Sequence, residues 1–402
     1  MKTSFYTIVV LAVLILSSCS SDGDNNVRKN IILSNEGISL VDAQNKFGYS
    51  VFKKQVLEYS EESNVAFSPL GLSLSLSMAA NGATDETLSE ILSLYNLSDI
   101  NSLNEINIKL ISQLPSLDKK SKIYFANSAW VDNDFPVKES YINFLYSGYK
   151  AECKNVDMNS NTSKDLINSW CARNTNNKIT NFLSSPIGSY MLLISAGYFE
   201  GEWQTPFDKS QTTTDVFNNI DNTNSSVQMM HRNFISGITS TSQFDILSLP
   251  YGNGAFEMLL YLPKKDFSLE QAVNQYDLSS SNVESDFYKV KLSLPKFIIN
   301  YDSESSLNRI LSDLGVKRAF TSEADFSNIS DKKISITDVK QVATISVDEN
   351  KTVASSVSKV DFGETAPLIK GEFDFNLNRP FMFAIQENST KIILYIGVIN
   401  KL

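Results

Sequence analysis

Histidine is almost missing from these 402 residues: there is one, His231, and there are only three cysteines. A serine or cysteine nucleophile needs a base beside it, most often an imidazole. Every hydrolase reading of that type therefore rests on His231, which follows Gln228-Met-Met230 in what reads as a strand or loop. No nucleophile-elbow motif occurs anywhere. Zinc needs a closed set of Cys and His ligands, and calcium needs an Asp- and Gly-rich loop. Neither is present in the sequence, and no cofactor is expected. Gly82, Gly197, Gly201 and Gly315 stand alone and build no phosphate cradle. Basic runs are missing as well. The net charge of −10 argues against nucleic acid or another polyanion as a partner. Carboxylates are plentiful, but no pair is singled out by spacing as an acid and base for glycoside chemistry.

Long apolar runs are also scarce. One runs from Ile8 to Leu16 behind Met1-Lys-Thr3, too short for a permanent bilayer span but suited to a signal peptide. Leu16-Ser-Ser-Cys19 resembles a bacterial lipobox, which would make Cys19 the lipidated first residue. Ser20-Ser-Asp-Gly-Asp24 is similar to the short acidic export signal of Bacteroidetes surface lipoproteins. The expected division is a signal peptide over 1–18, a flexible tether over 19–35 and one domain over 36–402. An extracellular or outer-membrane location through a lipid anchor follows as an expectation. Such a setting permits a disulfide between Cys153 and Cys171, and two separate thiols suit the sequence equally well.

The composition, 42% hydrophobic and 20% charged, is ordinary for a globular chain. No repeat and no interior linker appears. The polar stretches Asn218 to Ser226 and Ser279 to Ser285 read as surface loops. The pattern predicts helices over 39–60 and 69–93, the second capped by Ser68 with Pro69 in its first turn. Further helices are predicted over 163–173 and over 305–314, the latter stopped by Gly315. Strands are predicted over 122–132, 191–199, 256–262, 289–295 and 339–347, with a terminal hairpin from Phe381 to Ile385 and Lys391 to Val398. This mixture suits an α+β protein with large sheets.

The strongest signal lies in Val347-Asp-Glu-Asn-Lys-Thr-Val-Ala-Ser-Ser-Val-Ser358. Alternate residues along a strand face opposite sides. Thr352, Ala354, Ser356 and Ser358 would make one face of very small side chains, with Val353, Ser355 and Val357 on the other. Neither Gly nor Pro interrupts the stretch before Gly363, so it can extend. It is too polar for a strand buried from the start. It reads as a solvent-exposed segment able to enter a sheet later.

Other motifs accompany it in order. They are Asn64-Val-Ala-Phe-Ser-Pro69, Met78-Ala-Ala-Asn-Gly-Ala83, Phe125-Ala-Asn-Ser-Ala129, Ile167-Asn-Ser-Trp170, Tyr198-Phe-Glu-Gly-Glu-Trp203, Val227-Gln-Met-Met230, Leu249-Pro-Tyr251, Leu294-Pro-Lys-Phe297, Ala324-Asp-Phe-Ser327 and Arg379-Pro-Phe381. Together they resemble the serpins, the serpin-type protease inhibitors, over essentially the whole mature chain. The resemblance implies a fold of three β-sheets with about eight or nine helices and an exposed reactive-centre loop, here about 350–372. It implies a monomer whose partner is a serine protease, elastase-like or trypsin-like, or a cysteine protease. The protease attacks the loop, and the cut loop then inserts into the central sheet and traps the acyl-enzyme. The family with the same fold also contains non-inhibitory binding or carrier modules, which form the alternative.

Residue roles follow the same resemblance. The hinge maps onto Glu349, Thr352, Val353, Ala354, Ser355, Ser356, Val357 and Ser358, while Lys351 replaces the family's usual Gly and the two Val are bulkier than its usual Ala. Trp203 matches the breach at the top of the sheet, and Ser68 the shutter midway, where Ser195 and Gln341 replace the usual Asn and His. Counting from Glu349 puts the bait bond between Thr365 and Ala366. Counting back from Pro380-Phe381 puts it near Ile369-Lys370. Thr365 would suit an elastase-like pocket; Lys370 or Lys359 would suit a trypsin-like one.

Overall fold

The computed structural model describes residues 26–59, 64–278, 284–303, 306–349 and 368–402. Its first helix, α1 (Asn35–Tyr59), begins ahead of the expected position. Residues 26–34, assigned from sequence to the tether, lie extended against the body. Ile31 is buried and its N–H donates to Ser389 Oγ at 2.8 Å, while Asn26 Nδ2 donates to Asp118 Oδ1 at 2.6 Å.

Helix α2 (Pro69–Gly82) shows why the chain folds as it does locally. Ser68 Oγ accepts from the Gly71 N–H at 3.0 Å, and Pro69 needs no partner at the first position. Twelve of its fourteen residues are buried, so it is a central helix rather than an amphipathic surface one. The sequence pattern predicts one helix to residue 93. The helix instead breaks after Gly82, and α3 (Asp85–Ser93) restarts behind Thr84. A Cβ on Gly82 would lie 2.2 Å from the Ile329 side chain, so glycine lets that side chain pack directly on the end of the helix. Helices α4 (Ile100–Gln113), α5 (Glu139–Tyr149), α6 (Asn161–Asn174), α7 (Leu269–Gln275) and α8 (Ser306–Asp313) complete eight among the described residues. Gly315, at φ +114°, stops the chain beyond α8 as the sequence suggests.

Three sheets carry the fold. The largest has nine strands: β1 (Val65–Phe67), β5 (Thr213–Asn218), β6 (Asn224–Ser240), β7 (Phe244–Tyr251), β8 (Phe256–Pro263), β9 (Asp286–Pro295), β12 (Ile369–Asn376), β13 (Phe381–Glu387) and β14 (Ile393–Ile399). Its path is β1-β14-β13-β8-β7-β6-β9-β12, with β5 beside β6. Every residue of β13 and β14 is buried, as expected for apolar strands covered on both faces. A second sheet has the order β3-β2-β4, formed by β3 (Glu152–Val156), β2 (Ser121–Asp132) and β4 (Met191–Gly201). The third pairs β10 (Phe297–Asp302) with β11 (Val342–Val347). Helix α6 lies over β2 and β4, its Trp170 edge-on to Trp130 at 6.3 Å within a small separate core that includes Ile167 and Ile194.

Candidate functional site

The second and third sheets stand side by side, yet among the described residues no ladder joins β4 to β11. Both strands run the same way and finish beside Trp203. Between them lies a cleft in two parts. The lower part, about 800 Å³, has 191–196 as one wall and 338–342 as the other, with Leu72 and Leu76 of α2 at its floor. The upper part, about 140 Å³, lies between 197–201 and 344–348. The sequence predicts a strand from Val339, but β11 begins at Val342. Its partner β10 ends at Asp302, opposite Val342, so residues 338–341 lie beyond that ladder and border the wider part of the cleft.

At the upper end Trp203 is stacked on Tyr251 with ring centroids 4.4 Å apart. Its Nε1 donates to the carbonyl of Asp348 at 2.9 Å. The next residue, Glu349, starts the sequence-predicted hinge and is itself buried at 6% exposure. Its carboxylate meets Lys296 Nζ at 2.7 Å and accepts from Thr212 Oγ1 at 2.9 Å. Burial pushes this carboxyl up, but the Lys296 ammonium, a backbone hydrogen bond and the Thr212 hydroxyl outweigh it and hold it below its ordinary value of 4.5. A depressed acid contributes stability above its ordinary value and loses it as pH falls through the folded value. Acidification below pH 4.5 is therefore expected to loosen this end of the cleft. Tryptophan emission followed from pH 6 to 3 should shift to the red in the wild type, and the transition should be absent in both Glu349→Gln and Trp203→Phe.

Midway along, Ser68 and Gln341 form a closed hydrogen-bonded pair. Ser68 N donates to Gln341 Oε1 at 2.8 Å, and Gln341 Nε2 returns a bond to Ser68 O at 2.9 Å. Ser68 Oγ donates to Leu394 O at 2.7 Å, and Gln341 N donates to Ser303 Oγ at 2.8 Å. Ser195 faces the same cleft, but its buried Oγ has no partner among the described residues. The cluster thus joins α2, the segment before β11 and β14, and leaves β4 out. Ser68→Ala removes a helix cap and a buried hydrogen bond and should lower stability by about 2 kcal/mol. Ser195→Ala removes only an unpaired hydroxyl and should change it by less than ~1 kcal/mol. Denaturant unfolding of the two variants checks the contrast.

Of the other sequence-predicted positions, Cys19, Lys351, Thr352 to Ser358, Lys359, Thr365 and Ala366 lie outside the described residues. Ile369 and Lys370 are the first residues of β12, where Ile369 is opposite Phe287 of β9 and Lys370 Nζ meets Asp286 at 2.7 Å. His231 spans three strands, its ring nitrogens each 3.0 Å from a hydroxyl, Thr213 of β5 and Ser293 of β9. Cys153 and Cys171 are free thiols, on β3 and α6, and burial pushes the Cys171 thiol up to about 12. That resolves the open alternative in favour of separate cysteines. Sequence reading missed Lys296, Thr212 and Tyr251 as companions of Glu349 and Trp203. Two of them sit inside motifs already recognised, Leu294-Pro-Lys-Phe297 and Leu249-Pro-Tyr251, but nothing local ties them to residues so distant in the chain.

Comparison with known proteins agrees with this architecture. The family model described as Serpin (serine protease inhibitor) matches residues 42–402. A serpin-like protein of Methanosarcina acetivorans is 28% identical, with 98% of this chain and 97% of that protein covered. Iripin-3 of Ixodes ricinus is 29% identical over 100% of this chain and 99% of its own length. The crystal structure of the thermophilic serpin tengpin in the native state superposes with a TM-score of 0.80 at 28% identity, covering 94% of this chain and 97% of tengpin.

Proposed function

The chain belongs to the serpin family, and from that premise we propose that it inhibits serine proteases by a single-use trap. A target protease attacks the segment between Glu349 and Leu368 and becomes acylated. The freed segment then enters the cleft between β4 and β11. The observation that carries this reading is the cleft itself, which separates two strands pointing to the same end, with the hinge beginning at that end. A segment descending from Glu349 would run antiparallel to both walls and could bond to each. β4 alone offers eleven residues of edge. Ten or so new ladder bonds at ~1 kcal/mol net each rival the whole stability of an ordinary domain, ~5–15 kcal/mol. That is enough to distort an attached enzyme.

The bait bond is assigned to Thr365-Ala366. The competing position, Ile369-Lys370, falls at the start of β12, with Ile369 paired to Phe287 and the Lys370 side chain held by Asp286, a poor shape for a protease cleft. Thr365 before the cut favours an enzyme with a small, elastase-like pocket. Lys351, Val353 and Val357 speak for the alternative, a non-inhibitory binding protein of the same fold, because they are larger than an entering hinge prefers.

The test is to mix the mature protein with pancreatic elastase, trypsin, chymotrypsin and subtilisin, then run denaturing gels and intact mass. A covalent band of summed mass with a released fragment starting at Ala366 is expected. Cleavage by every protease with no covalent band, and no gain in thermal stability of the cleaved form, would move the binding protein ahead. Anchoring through Cys19 belongs to the same proposal. Labelled palmitate should enter the wild type and not Cys19→Ala, and a wild type recovered unlabelled in the soluble fraction would remove that part.

A further inference from the structure

Two of the contacts that hold the start of the hinge come from the connection between β4 and β5. Near its beginning Trp203 Nε1 donates to Asp348 O at 2.9 Å, and at its end Thr212 Oγ1 donates to the Glu349 carboxylate at 2.9 Å. Phe207 is the buried residue of the stretch between them. That stretch is tied to the body by Arg232 of β6. The guanidinium Cζ lies 4.1 Å from the centre of the Phe234 ring and 5.2 Å from that of Phe207, and Nη1 donates to Thr205 O. Phe207 in turn is edge-on to Trp203, with centroids 6.0 Å apart. Ring faces attract the cation, and a charged donor bonds a carbonyl more strongly than a neutral one. Yet Arg232 Nε is buried and has no acceptor among the described residues. An orphaned buried donor is costly, so an arginine is a poor choice here for packing alone.

We propose that Arg232 is a positioning residue for trapping: it holds the 202–212 connection against the upper end of the cleft and so keeps the segment after Glu349 from entering before a protease cuts it. The inference rests on the inhibitory reading and deepens it. Trp203 and Thr212 grip Asp348 and Glu349 only while their own backbone is held. The Thr212 end is fixed where Thr213 of β5 pairs with Met229 of β6, and the Trp203 end by its stack on Tyr251. Arg232 fixes the middle from the same strand as Met229. A shift of the connection would pass through Phe207 and Trp203 to the carbonyl of Asp348. A side chain that only filled space would be replaced by Met without loss, since Met keeps the length and removes the orphaned donor.

The experiment compares the mature wild type with Arg232→Met, Arg232→Lys, Phe207→Leu and Arg379→Met. The last is a control whose guanidinium likewise donates to a carbonyl, Pro263 O at 2.5 Å, at the end of β8. Hydrogen exchange is followed by mass spectrometry over 203–213 and 343–349, with thermal unfolding beside it. Arg232→Met should speed exchange in both stretches about tenfold at an unchanged unfolding temperature. Arg232→Lys keeps a cation and a donor and should restore exchange to about the wild-type rate. Phe207→Leu breaks the relay and should reproduce the effect at 343–349; it decides the matter if Arg232→Met fails to fold. Arg379→Met should change neither stretch. On storage Arg232→Met should also lose its trapping of pancreatic elastase, trypsin, chymotrypsin or subtilisin about tenfold faster than wild type. Exchange at 343–349 within about twofold of wild type would overturn the proposal. So would faster exchange throughout the chain with a lower unfolding temperature, since Arg232 would then support the fold at large. If the wild type traps none of the four proteases, the inhibitory reading falls, and the exchange rates still decide whether Arg232 positions the hinge.

Discussion

Ala354→Arg is expected to abolish trapping while leaving loop cleavage intact. Position 354 lies on the small-residue face of the hinge, and an entering strand places every second side chain against the packed interior. A guanidinium carried there finds no carboxylate on the cleft floor, where α2 presents Leu72, Ser75, Leu76 and Ala79. Burying an unpaired charge costs several kcal/mol even after relaxation. Trapping is a race between insertion and hydrolysis of the acyl-enzyme, and each ~1.4 kcal/mol added to the insertion barrier slows it tenfold. The variant should be a good substrate, with the inhibitor-to-enzyme ratio raised more than tenfold and the covalent band lost. Lys351→Gly should move the ratio the other way. An Ala354→Arg protein that still traps at the wild-type ratio would mean that this face of the segment never enters the sheet.

The second large effect is expected at the upper end of the cleft, and it should be asymmetric. Lys296 and Glu349 form a close pair, but their surroundings differ: the Lys296 side chain is 37% exposed and that of Glu349 6%. Removing Glu349 leaves an ammonium that water can reach. Removing Lys296 leaves a buried carboxylate without its cation, supported only by the Thr212 hydroxyl and backbone. Lys296→Ala should therefore destabilise by about 3 kcal/mol, Glu349→Ala by about 1 kcal/mol, and the double variant by less than Lys296→Ala alone. Thermal unfolding reads the order. The same variants should convert faster on storage to a non-inhibitory form with its segment already inserted. Equal losses for the two single changes would show that the pair is not the clasp described above.

Much of this was legible from residues alone because the signals were local. Ser68-Pro69 announced the start of α2, Gly315 the stop beyond α8, and the unbroken apolar character of Met191 to Phe199 marked β4. The break after Gly82 was missed, since the pattern reads as one helix over 69–93 and the group packed against Gly82, the Ile329 side chain, is far away in sequence. The cleft was not legible at all. It is defined by a pairing that β4 and β11 do not make, and strand partners are set by tertiary packing rather than by the pattern within either strand. The Lys296–Glu349 contact was hidden for a related reason. Each residue reads as an ordinary surface charge until the strands bring them together.

The pairing of β1 with β14 places Val65 opposite Val398, and this has a bearing on how the molecule is born. The first and last strands of the largest sheet are therefore neighbours, and that side of the sheet cannot close until the final residues of the chain are made. A chain cut short before Ile393 would strip the partner from β1 and one partner from β13 at a stroke. Loss of the last ten residues should thus cost a whole side of the sheet rather than a frayed tail.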